Sequence, residues 1–385
     1  VNRKILLVTR NLPPLTGGME RLNWHLAQEL AQEFAVAISG PHGSQQRAPV
    51  GTQALKTFAS APLYRFMLES LVTTLSNTRH FRPDLLIAGS GVTAPHVWLG
   101  SRLCSARTAV YLHGLDLIAS HPLYRAFFLP CIQRMDLALT NSHHTAQLAR
   151  NVGIDPRRIK VLHPGVTLPD VTSRYDTAAF LQSINAVGRT ILLSVGRLTA
   201  RKGLLEFVRH ALPAIVSVRP DVLLVIIGAE ATETLGARRA NRLEAIRREA
   251  EDMGLGKHLR FLGKVDEEML MQAYRSSALH IFPVLNLPGD VEGFGMVAIE
   301  AAAHGLPTVA FASGGVPDAV ADGVSGRLVP TGDYAAFSKT VIDLLSDSQT
   351  EITPERCREF SSRFAWERFG AKTREVCGHL LAECG

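Results

Sequence analysis

Along most of its length the chain alternates short, wholly apolar runs with longer stretches in which apolar residues recur every three or four positions. The first half holds ILLVT (5–9), AVAIS (35–39), DLLIAG (84–89), TAVYLH (108–113), DLALT (136–140) and IKVLHPG (159–165). A restart follows with TILLSVG (190–196), VLLVIIG (222–228), LRFLG (259–263), ALHIFP (278–283) and LPTVAF (306–311). Runs without polar alternation are strands covered on both faces, which a parallel sheet sandwiched by helices requires. The alternation therefore predicts two doubly wound α/β domains in tandem. Residues 167–188 lack a strong period and contain Pro169, Ser173 and Gly188, so the boundary is expected there.

A length of 385 residues suits this division, because single cores stop growing at about 250–300 residues. With 46% hydrophobic and 20% charged residues, the composition is that of a folded chain. No uncharged apolar run approaches the roughly 18 residues of a spanning helix, and the apolar core of VNRKILLVTR is short for a signal peptide. The expected location is the cytoplasm. Five cysteines, Cys104, Cys131, Cys357, Cys377 and Cys384, show no CxxC spacing, which argues for buried or idle thiols over a disulfide framework or zinc site.

Charge changes the picture. Residues 1–170 carry 17 Lys and Arg against 9 Asp and Glu, and the remainder carries 24 against 26. A basic first half suits an anionic partner, and a membrane surface or lipid-phosphate acceptor ranks ahead of nucleic acid because no basic run or aromatic platform accompanies the charge. An ordinary solvated surface is the competing reading.

In doubly wound folds ligands bind at the carboxyl ends of the strands. After the first run comes NLPPLTGGMER, in which Gly17 and Gly18 open a helix and let backbone N–H groups approach an anion; a tight turn explains them equally well. The matching entry in the second half is SVGRLTARKG, with Arg197 at a strand end and Lys202 before the next helix. Together they supply a forked guanidinium and a point-charge ammonium suited to a pyrophosphate, against the plainer reading of solvated charges. A third entry, PGDVEGFGMVAIE, sets Glu292 and Glu300 eight positions apart. Gly293 and Gly295 free the N–H groups of Phe294, Met296 and Val297, and the two carboxylates can reach different parts of one extended ligand. A catalytic pair, a metal site and a hydroxyl clamp all fit that stretch alone.

These segments, PPLTGGMER, HGLD (113–116), VGRLTARKG, GDVEGFGMVAIEAAAHGLPTVAF (289–311) and SGGVPD (313–318), together resemble the retaining glycosyltransferases of family 4, whose fold is GT-B. The strongest part is the Glu-x7-Glu block joined to the upstream Gly-Arg-x4-Lys. FAWERFG (364–370) resembles the family's last helix, which crosses back to the first domain.

The resemblance implies a first Rossmann-like domain over residues 1–168 that binds the acceptor. It further implies a second over 169–362 that binds the nucleotide sugar across a cleft, and a closing helix within 363–385. It gives Arg197 and Lys202 to the departing diphosphate, Glu292 to the donor sugar with the backbone at Phe294, Gly295 and Met296, and Glu300 to the ribose. Gly17 and Gly18 would close on the diphosphate, backbone near Lys264 and Val265 would meet the base, and His113 would contact the sugar or acceptor, with Asp116 orienting the acceptor. Without HGLD around it, His113 reads as a packed core residue. No Asp-x-Asp occurs, the nearest approaches being Asp290-Val-Glu292 and Asp266-Glu-Glu268, so no metal is expected. Thr167 stands where the family often has an acidic residue. The donor reads as GDP-mannose-type ahead of a UDP-sugar, and the acceptor as a saccharide or lipid-linked glycan of the cell envelope at the inner leaflet, met by variable loops including residues 41–66. Two other classes compete: a nucleotide-sugar 2-epimerase on the same scaffold, and a dinucleotide-dependent oxidoreductase suggested by Gly89-Ser-Gly91-Val-Thr-Ala94. The latter follows a mid-domain strand rather than the first one.

Overall fold

The computed structural model describes residues 3–170, 176–230, 241–346 and 351–383, so Ser173 and Cys384 lie outside the described residues. The chain divides into two compact units, Val1–Gly165 with Ala365–Gly385, and Val166–Phe364. The divisions fall three and two residues from the expected ones. The reason is local to the second unit: the Val166 N–H donates to the Phe364 carbonyl at 2.7 Å, pairing the two chain crossings side by side.

In the first unit the strands are β1 (Lys4–Val8), β2 (Ala35–Pro41), β3 (Thr52–Phe58), β4 (Leu85–Ala88), β5 (Arg107–Leu112), β6 (Leu137–Thr140) and β7 (Ile159–Val161). They form one parallel sheet in the order β3-β2-β1-β4-β5-β6-β7. Helices α1 (Gly18–Leu30), α2 (Leu63–Phe81) and α3 (Ala94–Ser101) are among those that cover it. Central positions such as Leu6, Leu86 and Val110 are fully buried. At about 1.5–3 kcal/mol per fully buried large aliphatic side chain, these two-sided strands supply much of the drive to fold.

The last helix, Trp366–Ala382, belongs to this unit and packs on α1. Trp366 stacks on His25 at 3.8 Å between centroids, and Arg374 reaches Glu29 at 2.8 Å and Glu33 at 3.1 Å.

The second unit holds β8 (Thr190–Val195), β9 (Val222–Ile227), β10 (Leu259–Gly263), β11 (Leu279–Phe282), β12 (Thr308–Phe311) and β13 (Gly326–Val329) in the order β10-β9-β8-β11-β12-β13, again parallel. Helices α4 (Leu204–His210), α5 (Glu267–Ser276) and α6 (Met296–Ala303) follow β8, β10 and β11.

Strands β3 and β13 correct the sequence reading, which assigned no strand to either segment and gave residues 41–66 to loops. Both lie at a sheet edge. There one side of the strand meets solvent, and the sequence loses the unbroken apolar run: Arg327 is exposed between the buried ends of β13.

Each unit has one switch point where neighbouring strands lead off in opposite directions, between β1 and β4 and between β8 and β11. The crevice beyond the carboxyl ends of such a strand pair is where this architecture places ligands. No described helix is long and apolar enough to cross a membrane.

Candidate functional site

At the switch point of the second unit, the loops after β8 and β11 bring Arg197, Lys202, Glu292 and the start of α6 to the carboxyl end of the sheet. The β8 loop turns through a short 3-10 segment, Ala200–Lys202, and ends on Gly203 in the left-handed region at φ 67°. A side chain there would begin 2.0 Å from the Pro283 carbonyl oxygen, so only glycine lets this loop lie against the one after β11. The contact is fastened by the Leu285 N–H, which donates to the Arg201 carbonyl at 2.8 Å.

Arg201 is the residue that sequence reasoning missed. Its side chain is 10% exposed; its Nε donates to Asp290 at 2.9 Å, and its Nη1 donates to Glu292 Oε2. Lys202 Nζ donates to the same Glu292 oxygen at 2.8 Å and sits 4.6 Å from the centre of the Phe282 ring. Both cations thus converge on Oε2, while Oε1 has no protein donor among the described residues and the Glu292 side chain remains 14% exposed. Burial works to raise the Glu292 carboxyl, but Lys202 and Arg201 outweigh it and hold the group below its ordinary value. Burial lowers the Lys202 ammonium from 10.5; Glu292 opposes the change, and Arg201 and Arg197 add to it. His280, fully buried in β11, is pushed down to about 3 by burial and then by Lys202, so it adds no charge at neutral pH. Arg197 is exposed, one residue past Gly196.

Beyond β11, Gly295 caps α6 in the left-handed region at φ 106°, where a side chain would press to 3.0 Å against the Phe282 ring. The first N–H groups of α6, beginning at Met296 and Val297, lack intrahelical acceptors by helix geometry. The Phe294 ring is buried in the core, so that residue offers a ligand its backbone only. The 313–318 segment braces this turn from behind through the Gly315 N–H, which donates to the Glu292 carbonyl at 2.8 Å. One turn further into α6, Glu300 accepts from Tyr274 Oη at 3.3 Å, and the Tyr274 ring is held by stacking on His304 at 4.9 Å. Lys264 and Val265 occupy the turn between β10 and α5, the former exposed and the latter half-buried.

Gly17, Gly18 and His113 belong to the first unit. Gly17 caps α1, and Glu20 folds back against it with Oε1 accepting from Asn11 at 2.7 Å. His113 leaves the carboxyl end of β5 half-buried, stacked on Tyr111 at 5.1 Å, with Nε2 3.0 Å from the Gly89 carbonyl. A carbonyl only accepts, so Nε2 carries the proton and Nδ1 is the ring's acceptor. The buried Asp116 does not face outward as an acceptor-orienting group would. Its two oxygens accept from the His113 N–H at 2.9 Å and the Gly91 N–H at 3.1 Å, tying two loops together. The Gly89-Ser-Gly91 turn is filled from within: side chains at these positions would strike Asn23 at 2.3 Å and Tyr124 at 2.5 Å. Its glycines serve packing, which accounts for the resemblance to a dinucleotide fingerprint.

A family model described as Glycosyl transferases group 1 matches residues 178–363, and one described as Glycosyltransferase Family 4 matches residues 16–168. A D-inositol 3-phosphate glycosyltransferase of Geodermatophilus obscurus is 35% identical over 235 residues, 60% of this chain and 50% of that protein, so the match spans about half the length of that relative. A GDP-mannose-dependent alpha-(1-6)-phosphatidylinositol monomannoside mannosyltransferase of Mycolicibacterium smegmatis is 27% identical over 352 residues, covering 89% of each chain. Among solved structures, Anabaena HepE in complex with UDP superposes with a TM-score of 0.78 at 18% identity, covering 99% of this chain and 100% of that one. Sucrose-phosphate synthase from Thermosynechococcus elongatus gives 0.77 at 20% identity, with the same coverage.

Proposed function

The chain belongs to glycosyltransferase family 4 and has its GT-B fold, and from that premise we propose that it transfers a hexose from a nucleotide sugar to a cell-envelope saccharide or lipid-linked acceptor, with retention and without a metal. The observation that carries this reading is the one-sided clasp on Glu292. Two cations occupy Oε2 and leave Oε1 for a hydroxyl, which makes the group a clamp rather than a shared-proton pair with Glu300.

In this mechanism Arg197 and Lys202 balance the charge that grows on the departing diphosphate. Lys202 spends one of its three ammonium hydrogens on Glu292 and keeps two for phosphate oxygens. The first N–H groups of α6, at Met296 and Val297, with the Gly295 backbone before them, complete the anion cradle. Glu292 Oε1 accepts from a sugar hydroxyl, and because its carboxylate is pinned by Arg201, it orients the sugar without reorganising. Glu300, steadied by Tyr274, accepts from the ribose. Lys264 and Val265 border the base, Gly17 and Gly18 meet the diphosphate, and His113 contributes Nδ1 as an acceptor toward the sugar or acceptor hydroxyl. The basic first half suits an acceptor at an anionic inner-leaflet surface, reached from the cytoplasm.

A GDP-mannose-type donor is supported by the mycobacterial relative, whose name specifies GDP-mannose over nearly the whole length. A UDP-sugar is the second reading, because Anabaena HepE was solved with UDP. Calorimetric titration with GDP-mannose, UDP-glucose and UDP-N-acetylglucosamine, each with and without EDTA, separates them. Binding of one donor unaffected by EDTA is expected. Binding of none refutes the function, and loss on chelation refutes the metal-free mechanism.

A further inference from the structure

At the amino end of the first unit's sheet, where β1, β4 and β5 begin, lies an open groove of about 780 Å³ that none of the chemistry above uses. Its walls carry four guanidinium groups, Arg3, Arg79, Arg82 and Arg107, and one carboxylate, Asp84. Arg3 pairs with Asp84 at 3.2 Å and Arg107 with Asp136 at 3.2 Å. Arg79 and Arg82, both exposed, have no side-chain hydrogen bond or ion pair among the described residues.

Among the described residues, Arg82, Ser105 and Asn185 are the non-glycine residues with positive φ, and the first two line this groove at 50° and 52°. Arg82 ends α2 as its left-handed C-cap, with its N–H donating to the Thr78 carbonyl at 3.0 Å, which fixes the backbone of that Arg where the helix meets the groove.

We propose that this groove binds a phosphate-bearing anion of small-molecule or headgroup size. Forked guanidinium groups match phosphate oxygens better than any other common anion-binding side chain. The volume falls within the roughly 300–1,000 Å³ of small-ligand sites. Among the described residues, no aromatic ring lines it on which nucleic-acid bases would stack. The partner is a soluble phosphate compound or the headgroup of an anionic lipid, which share this chemistry.

The test uses the full chain with a saturating nucleoside diphosphate, so that Arg197 and Lys202 are occupied. Inorganic pyrophosphate is titrated calorimetrically, and co-sedimentation is measured with phosphatidylcholine vesicles containing or lacking 30% phosphatidylinositol. Arg79→Ala/Arg82→Ala is compared with wild type and with Arg150→Ala, a surface change of like charge elsewhere on the unit; thermal melting checks that each variant is folded. We expect at least one probe to bind, the double variant to bind it at least tenfold more weakly, and Arg150→Ala to stay within twofold. Pyrophosphate binding identifies a soluble ligand and vesicle binding a lipid headgroup. Binding of neither probe, unchanged binding by the double variant, or an equal loss in Arg150→Ala overturns the proposal. The comparison of variants holds even where the nucleoside diphosphate itself does not bind, so this result and the catalytic reading stand or fall separately.

Discussion

Replacing Arg201 by alanine tests the clasp most directly. Removing one partner of a buried ion pair costs about 3–5 kcal/mol, chiefly because the other is stranded. Here the loss is smaller. Glu292 keeps Lys202 at 2.8 Å on the same oxygen, and Asp290, with a side chain 36% exposed, recovers water. A destabilisation of about 2 kcal/mol remains, equivalent to a fall of about 4–8 °C in the melting of a unit of this size, measurable by differential scanning calorimetry. The functional signature is separate from stability. Glu292 loses the fixed partner that orients it, so turnover of the sugar nucleotide falls about 10- to 100-fold, while affinity for the free nucleoside diphosphate stays within about threefold because Arg197 and Lys202 remain. Arg201→Lys recovers part of the melting temperature, since an ammonium satisfies one carboxylate but cannot bridge two as a guanidinium does. An alanine variant that melts within 1 °C of wild type and turns over normally refutes this account of Glu292.

Three further outcomes are expected. Lys202→Ala and Arg197→Ala each weaken free nucleoside diphosphate by about 1.5–3 kcal/mol, roughly 10- to 150-fold, whereas Glu292→Ala cuts sugar-nucleotide turnover and leaves that affinity nearly intact; isothermal titration beside steady-state kinetics distinguishes the two patterns. Because burial, with Arg201 and Arg197, lowers Lys202 from 10.5, its charge is lost as pH rises through a value below 10.5. Diphosphate affinity therefore declines on the alkaline side before pH 10.5, the Lys202→Arg variant loses that limb, and a wild-type affinity flat to pH 10.5 contradicts it. Arg82→Gly places the residue preferred at a left-handed helix C-cap and raises stability by about 0.5–1 kcal/mol by chemical denaturation, although it weakens anion binding in the groove; a loss of stability refutes that expectation.

The central strands were legible because burial on two faces writes itself as an unbroken apolar run, as in VLLVIIG, which became β9. Strands β3 and β13 were not, since each is an edge strand with one side toward solvent and so carries an ordinary mixture of residues in place of an unbroken apolar run. The same contrast holds in the candidate site. Arg197, Lys202, Glu292 and Gly295 could be named because each stands next to a strand end or helix start that the pattern predicts. Arg201 was in plain view beside Lys202, but its partners Asp290 and Glu292 lie 89 and 91 residues away, and only the pairing of β8 with β11 brings them to it. Asp116 shows the reverse limit: an acidic residue in a suggestive motif proves to be a brace between two loops.

The last helix has a consequence for biosynthesis. Arg374 meets Glu33 across 341 residues, so the first unit is interrupted in the chain by the whole of the second. At about 5–20 residues per second on the ribosome, α1 waits roughly 20–70 s for its covering helix. During that interval the α1 surface that Trp366 will cover stays open to solvent and to chaperones, while the second unit, contiguous in the chain, has all of its residues available first. The unit begun earliest is thus the one completed last.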